Sequence, residues 1–136
     1  MLLVDDDEAT NFLNKMVITK SGITEHIQTV LNGKEAIEYI TSQGKYSNQE
    51  HFYPKPKIIF LDINMPVMDG WEFIEAYKNL DGELKDKMII VMLTTSFNPD
   101  DKLRADGIPE ITTLRNKPLS YDTIQEIVET YFEEYV

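Results

Sequence analysis

Two short apolar runs constrain the chain most: Ile58 to Leu61 and Met88 to Leu93, each bounded by polar or turn residues. Runs of this length read as strands buried on both faces, the habit of a parallel sheet. Helical periodicity fills the space between them. Leu2 to Val4 reads as a first strand, followed by a helix with Phe12, Leu13, Met16 and Val17 on one stripe and Gly22 as its stop. Ile27 to Leu31 reads as a second strand, and Asn32-Gly33 opens a helix carrying Ala36, Ile37 and Ile40. After the third strand, Gly70 leads into a helix with Trp71, Phe73, Ile74 and Tyr77. After the fourth, Pro99 fits the first turn of a short helix ending near Gly107. Ile111 to Leu114 is a weaker fifth strand, and the last helix places Ile124, Ile127, Val128, Tyr131 and Phe132 on one stripe. Strict alternation of strand and helix predicts a parallel sheet with helices on both faces.

One connection is irregular. Residues 42–57, SQGKYSNQEHFYPKPK, form a long polar loop with two prolines, and loops of this length tend to be functional or mobile. Its Tyr46, Phe52 and Tyr53 have two readings, packing on the surface or contact with a partner, and packing is the expectation. With 136 residues the expectation is one domain over 1–136. No apolar run approaches the roughly 18 residues of a membrane span, and the start, MLLVDDD, lacks the pattern of a secretory leader. The absence of cysteine excludes disulfides and thiolate metal sites and agrees with a cytoplasmic location. A formal charge of -11 opposes direct contact with nucleic acid or anionic membranes.

In an open parallel sheet, ligands bind beyond the carboxyl ends of the strands. Here those ends carry Asp5-Asp6-Asp7, Asp62, Thr94-Thr95-Ser96 and Lys117-Pro118. Asp5, Asp6 and Asp62 crowded together would repel one another unless a cation compensated. An all-oxygen donor set without His or Cys points to Mg²⁺, with Mn²⁺ and Ca²⁺ as substitutes. The plainer reading of Asp5 to Asp7 is a helix cap that favours the helix dipole, and Asp7 is read as only that. The D-x-N at Asp62 does not begin an EF-hand, because Val67 stands where that loop needs Gly. A carboxylate is also a competent nucleophile for phosphoryl groups, giving Asp62 a second use; Thr94 would donate a hydroxyl hydrogen bond to the phosphoryl oxygens and Lys117 a positive charge.

The segments LLVDDD, IIFLDINMPVMDG, VMLTTS and NKP, in this order and spacing, resemble the receiver domain of two-component response regulators, the CheY-like family, over essentially the whole chain. The resemblance implies a flavodoxin-like, doubly wound (βα)5 fold with the five-stranded parallel sheet in order 2-1-3-4-5. It implies Asp62 as phosphoacceptor, Asp5 and Asp6 as the acidic pair holding Mg²⁺ together with Asp62, and Asn64 as a metal ligand through its backbone carbonyl. Thr94 becomes the switch hydroxyl and Lys117 the partner of the phosphoryl group, with Lys117-Pro118 in cis. Met65-Pro66 and Asp69-Gly70 match the turn that aims Asp62, while Asn64 and Ser96 hold positions that tune phosphoryl lifetime. Leu114 departs from the family, which often carries a Tyr or Phe there that moves with the switch Thr; the long loop is a second departure.

The expected partners are a histidine kinase or histidine phosphotransfer protein and a downstream protein target, with a phosphorylation-dependent dimer through the same face. That face is expected at the fourth helix, fifth strand and fifth helix, about Pro99 to Tyr135. Since the chain ends with its last helix, a stand-alone receiver is expected: a signalling protein that catalyses only its own phosphorylation and dephosphorylation. Two rivals are a receiver that binds partners without phosphorylation and an aspartate-nucleophile phosphatase. The phosphatase needs a carboxyl group where this chain has Asn64, which has no such proton to donate.

Overall fold

The computed structural model describes residues 1–23, 26–47, 55–82 and 88–131. Its strands are β1 (Leu2–Val4), β2 (Gln28–Val30), β3 (Ile58–Asp62), β4 (Ile89–Thr94) and β5 (Thr113–Asn116). All pair in parallel, in the order β2-β1-β3-β4-β5. This is the doubly wound arrangement expected from the alternation. The helices among the described residues are α1 (Glu8–Ser21), α2 (Gly33–Thr41), α3 (Gly70–Lys78), α4 (Pro99–Asp106) and α5 (Tyr121–Tyr131).

Side chains alternate across each strand, so every strand feeds two cores. On one face Leu3, Phe60 and Val91 meet Ile18 of α1 and Ile124 and Val128 of α5. On the other, Val4, Leu61 and Met92 meet Ala36 and Ile40 of α2 and Phe73 of α3. β3 is buried along its whole length, Asp62 included.

Local chemistry sets the helix starts. Asn32 Oδ1 accepts from Glu35 N at 2.9 Å to open α2, and Asn98 Oδ1 accepts from Asp100 N at 3.0 Å to open α4 ahead of Pro99. Gly22, at φ 70°, ends α1 in the left-handed conformation that glycine adopts without penalty.

Four details depart from the expectations. The Phe12, Leu13, Met16 stripe of α1 does not face the core: these residues are 64%, 58% and 40% exposed, and the buried face is Asn11, Asn14 and Ile18, with Val17 at its margin. β2 is shorter than Ile27–Leu31. β5 lies two residues later than Ile111–Leu114, because Ile111 is buried in a turn, its N–H bonded to Ile108 O, and Thr112 N already bonds Ile90 O. In α5, Ile124, Ile127 and Val128 are buried but Tyr131 is exposed, and Phe132 lies outside the described residues.

The start of the long loop packs as expected. Gly44–Tyr46 forms a 3₁₀ turn that buries Tyr46 edge-to-face against Tyr39 of α2, ring centroids 5.0 Å apart. At its far end Lys55 Nζ donates to Ile40 O and Ser42 Oγ at the end of α2. Phe52 and Tyr53 lie outside the described residues.

Candidate functional site

The carboxyl ends of β1, β3 and the segment after β5 bring four charged groups together. Carboxylate oxygens of Asp5, Asp6 and Asp62 all lie within 4.8 Å of one another. Lys117 Nζ reaches across them, 2.7 Å from Asp5 Oδ2 and 3.1 Å from Asp62 Oδ1. Asp5 and Asp62 are 4% and 9% exposed, whereas Asp6 faces solvent. Asp5 Oδ1 also accepts from Asp7 N at 2.9 Å. Asp7 stands apart from the cluster: it caps α1, accepting from Ala9 N and Thr10 Oγ1.

Electrostatics make the cluster cation-seeking. Burial raises the Asp62 pKa, the Asp5 charge raises it further, and Lys117 offsets this only in part. For Lys117, burial works against the charge, yet the hydrogen bond to Asp5 and the charges of Asp62 and Asp5 together hold its pKa above the ordinary value. Both partners are thus raised. The lysine is closer to Asp5 and leaves Asp62 the less compensated. Three carboxylates to one ammonium leave negative charge in a partly dry crevice, and the oxygen donors are close enough for one hard divalent ion with bonds of about 2.1–2.5 Å to span. The donor set fits Mg²⁺, Mn²⁺ or Ca²⁺.

Thr94 ends β4, 3% exposed, and its Oγ1 accepts from Ser96 N at 2.9 Å, which leaves the hydroxyl hydrogen available to donate. Lys117 N bonds Thr94 O at 2.8 Å, tying the lysine's own backbone to the end of β4. The Lys117–Pro118 peptide bond is cis. Asn64 is exposed in the turn after β3. Leu114, in β5, is half-buried against the core on the α2 and α3 face.

The sequence profile of the response regulator receiver domain matches residues 1–129. The chain belongs to the response regulator receiver family. A two-component response regulator from Cytophaga hutchinsonii is similar in structure, with a TM-score of 0.82 and 32% identity over 97% of this chain and 95% of that one. Response regulator Rcp1 of Synechocystis is 36% identical over 101 residues, which span 74% of this chain and 65% of Rcp1. The Mn²⁺-bound form of Rcp1 aligns with a TM-score of 0.75 and 30% identity, covering 99% of this chain and 94% of that one. The phosphorylated cyanobacterial phytochrome response regulator RcpA aligns at 0.74 and 29%, covering 98% and 91%.

In this receiver the turn after Asp62 is held by glycine on two sides. A Cβ on Gly70 would sit 2.7 Å from Asp62 O and 2.9 Å from Ile63 Cα, and Gly70 N bonds Ile63 O at 2.7 Å. Only glycine lets α3 start this close to the strand that ends in Asp62. Gly33 N bonds Met68 O at 3.0 Å, anchoring the same turn to α2. Asp69 and Glu72 close it with a reciprocal capping box. Between these anchors Val67 is left at φ 70°, a conformation unfavourable for a β-branched residue.

Sequence reasoning missed two asparagines. Asn116 Nδ2 donates to Ser96 O at 2.8 Å and holds the loop after β4 against the end of β5. Asn11, buried on α1, donates from Nδ2 to Asp5 O at 2.9 Å and to Val30 O at 3.3 Å. The available signal was polarity out of phase: Asn11 and Asn14 share a helical face one step away from the apolar stripe.

Proposed function

We propose that the chain is a response regulator of a two-component phosphorelay, with a single receiver domain over 1–136, acting in the cytoplasm. Asp62 accepts a phosphoryl group from the phosphohistidine of a histidine kinase or histidine phosphotransfer protein. A carboxylate oxygen of Asp62 attacks phosphorus, a P–O bond forms, and the P–N bond to the donor imidazole breaks with its electron pair returning to nitrogen. A divalent cation, Mg²⁺ in the cell, held by Asp5, Asp6, Asp62 and the carbonyl of Asn64, would neutralise negative charge on the transferring group. Lys117 moves from its ion pair with Asp62 to a phosphoryl oxygen, and Thr94 donates its hydroxyl to another. Hydrolysis reverses the state: water attacks phosphorus, the P–O bond to Asp62 breaks, and the carboxylate returns with release of inorganic phosphate.

The observation that carries this reading is the position of Lys117, within hydrogen-bond reach of both Asp5 and Asp62 while Asp6 lies alongside. It is supported by similarity to RcpA, described in a phosphorylated form, and to Rcp1, described with Mn²⁺. The phosphorylated state is favoured when Thr94 and Lys117 close on the phosphoryl group, which shifts the population toward a different surface on α4, β5 and α5. That surface addresses a protein target or a second copy of the chain. The net charge of -11 supports protein partners over nucleic acid, and among the described residues no helix is long and apolar enough to cross a membrane.

The test is the intact mass after incubation with acetyl phosphate, with and without Mg²⁺, beside Asp62→Asn. One phosphoryl adduct is expected, dependent on Mg²⁺, cleaved by hydroxylamine and absent from the variant. An adduct of equal yield on Asp62→Asn would move the phosphoacceptor elsewhere.

A further inference from the structure

The inverted face of α1 has a specific consequence for the acidic pair. The β1 ladder ends at Val4, paired with Val30 on one side and Leu61 on the other. Asp5 makes one more contact, Asp5 N to Val30 O at 3.2 Å, and its carbonyl then lies past the last strand pair. Asn11 Nδ2 donates to that carbonyl at 2.9 Å and to Val30 O at 3.3 Å, so one amide joins the ends of β1 and β2. Asn11 is 4% exposed, and its Oδ1 is buried with no hydrogen-bond partner. A buried unpaired acceptor is costly, and an apolar side chain here would avoid it. The side chain therefore earns its place through its two donors.

We infer that Asn11 is a positioning residue for the cation site: it fixes the backbone of Asp5, and with it the directions in which Asp5 and Asp6 present their carboxylates. This rests on the reading that Asp5 and Asp6 hold a divalent ion. Groups that orient ligands without touching the metal are commonly needed for affinity, because a carboxylate free to swing must be ordered when the ion arrives. Asn14 provides an internal control. It lies on the same buried face of α1, 7% exposed, and forms no hydrogen bond to β1 or β2.

The experiment is a calorimetric titration of the full chain with Mg²⁺, together with thermal unfolding of the metal-free protein, for wild type, Asn11→Ala, Asn11→Ser and Asn14→Ala. Asn11→Ala and Asn11→Ser are expected to bind Mg²⁺ about 10-fold more weakly while Asn14→Ala stays within roughly 2-fold of wild type, whatever each does to stability. Equal affinity in the Asn11 variants, or equal weakening in Asn14→Ala, would overturn the inference and leave Asn11 a residue of the core alone. Absence of Mg²⁺ binding by wild type would instead sink the cation site itself. A measurement on wild type covers the case in which the variants do not fold. The side-chain amide signals of Asn11 should shift on Mg²⁺ saturation together with the backbone amides of Asp5 and Asp6; backbone shifts without any at the Asn11 amide would also overturn the inference.

Discussion

Lys117 Nζ donates to Asp5 Oδ2 across 2.7 Å, although 112 positions separate the two residues in the chain. Its contact with Asp62 is longer, 3.1 Å, so the resting lysine serves chiefly to balance Asp5. A lysine that neutralises the acidic cluster competes with any metal cation for the same oxygens. Lys117→Met is therefore expected to bind Mg²⁺ several-fold more tightly than wild type, and to be less stable than wild type without metal because two buried carboxylates lose their counter-charge. Mg²⁺ titration and metal-free thermal unfolding check both halves, and weaker Mg²⁺ binding in the variant would contradict the competition.

The raised pKa of Asp62 carries a sign. A carboxyl group whose pKa is higher folded than unfolded favours the folded state fully below its unfolded pKa, and this contribution is lost as pH rises through the folded value. At neutral pH the ionised Asp62 is thus a cost. Asp62→Asn removes it, so the metal-free variant is expected to melt at a higher temperature than wild type at pH 7. The difference should narrow toward acid, where Asp62 is protonated, and on addition of Mg²⁺, which compensates the charge in wild type alone. Unfolding curves across pH, with and without Mg²⁺, test this.

Gly70 stands where α3 meets the end of β3. Gly70→Ala would place a methyl group 2.7 Å from Asp62 O and 2.9 Å from Ile63 Cα, and backbone must move because both of these nearest atoms are main chain. Overpacking of this kind costs about 1–3 kcal/mol. The variant should melt lower and phosphorylate more slowly with acetyl phosphate, since the carbonyl that must shift belongs to Asp62. A normal phosphorylation rate would show that the turn can relax without moving the carboxylate.

Val67 is the converse case. It is 74% exposed and holds φ at 70°, so its side chain contributes little packing against a backbone penalty of about 1–2 kcal/mol. Val67→Asn, tolerant of that conformation, is expected to raise stability by about 1 kcal/mol with Mg²⁺ affinity unchanged. Chemical denaturation measures the gain, and a loss of stability would mean that Val67 makes contacts the turn depends on.

Much of this receiver was legible in one dimension. The alternation of apolar runs with helical stripes predicted the parallel sheet, because burial on both faces demands continuous apolarity in β3 and β4. Asp5, Asp6, Asp62, Thr94 and Lys117 could be nominated because each lies at or just past the carboxyl end of a strand, and strand ends in such a sheet share one edge. Asn32 was legible as a helix start because capping is a contact between near neighbours in sequence.

What only the tertiary structure decided depends on groups distant in the chain. Ile111 is apolar because it is buried, yet it is buried in a turn, so apolarity alone placed β5 two residues early. The stripe of Phe12, Leu13 and Met16 had the right period for α1 but the wrong phase. The helix turns Asn11 inward because the Asp5 carbonyl, just past the end of β1, needs a donor, a demand invisible until the sheet exists. The division of Lys117 between Asp5 and Asp62 is of the same kind. Periodicity reveals that a helix has a face; the unpaired groups of its neighbours determine which face is turned to them.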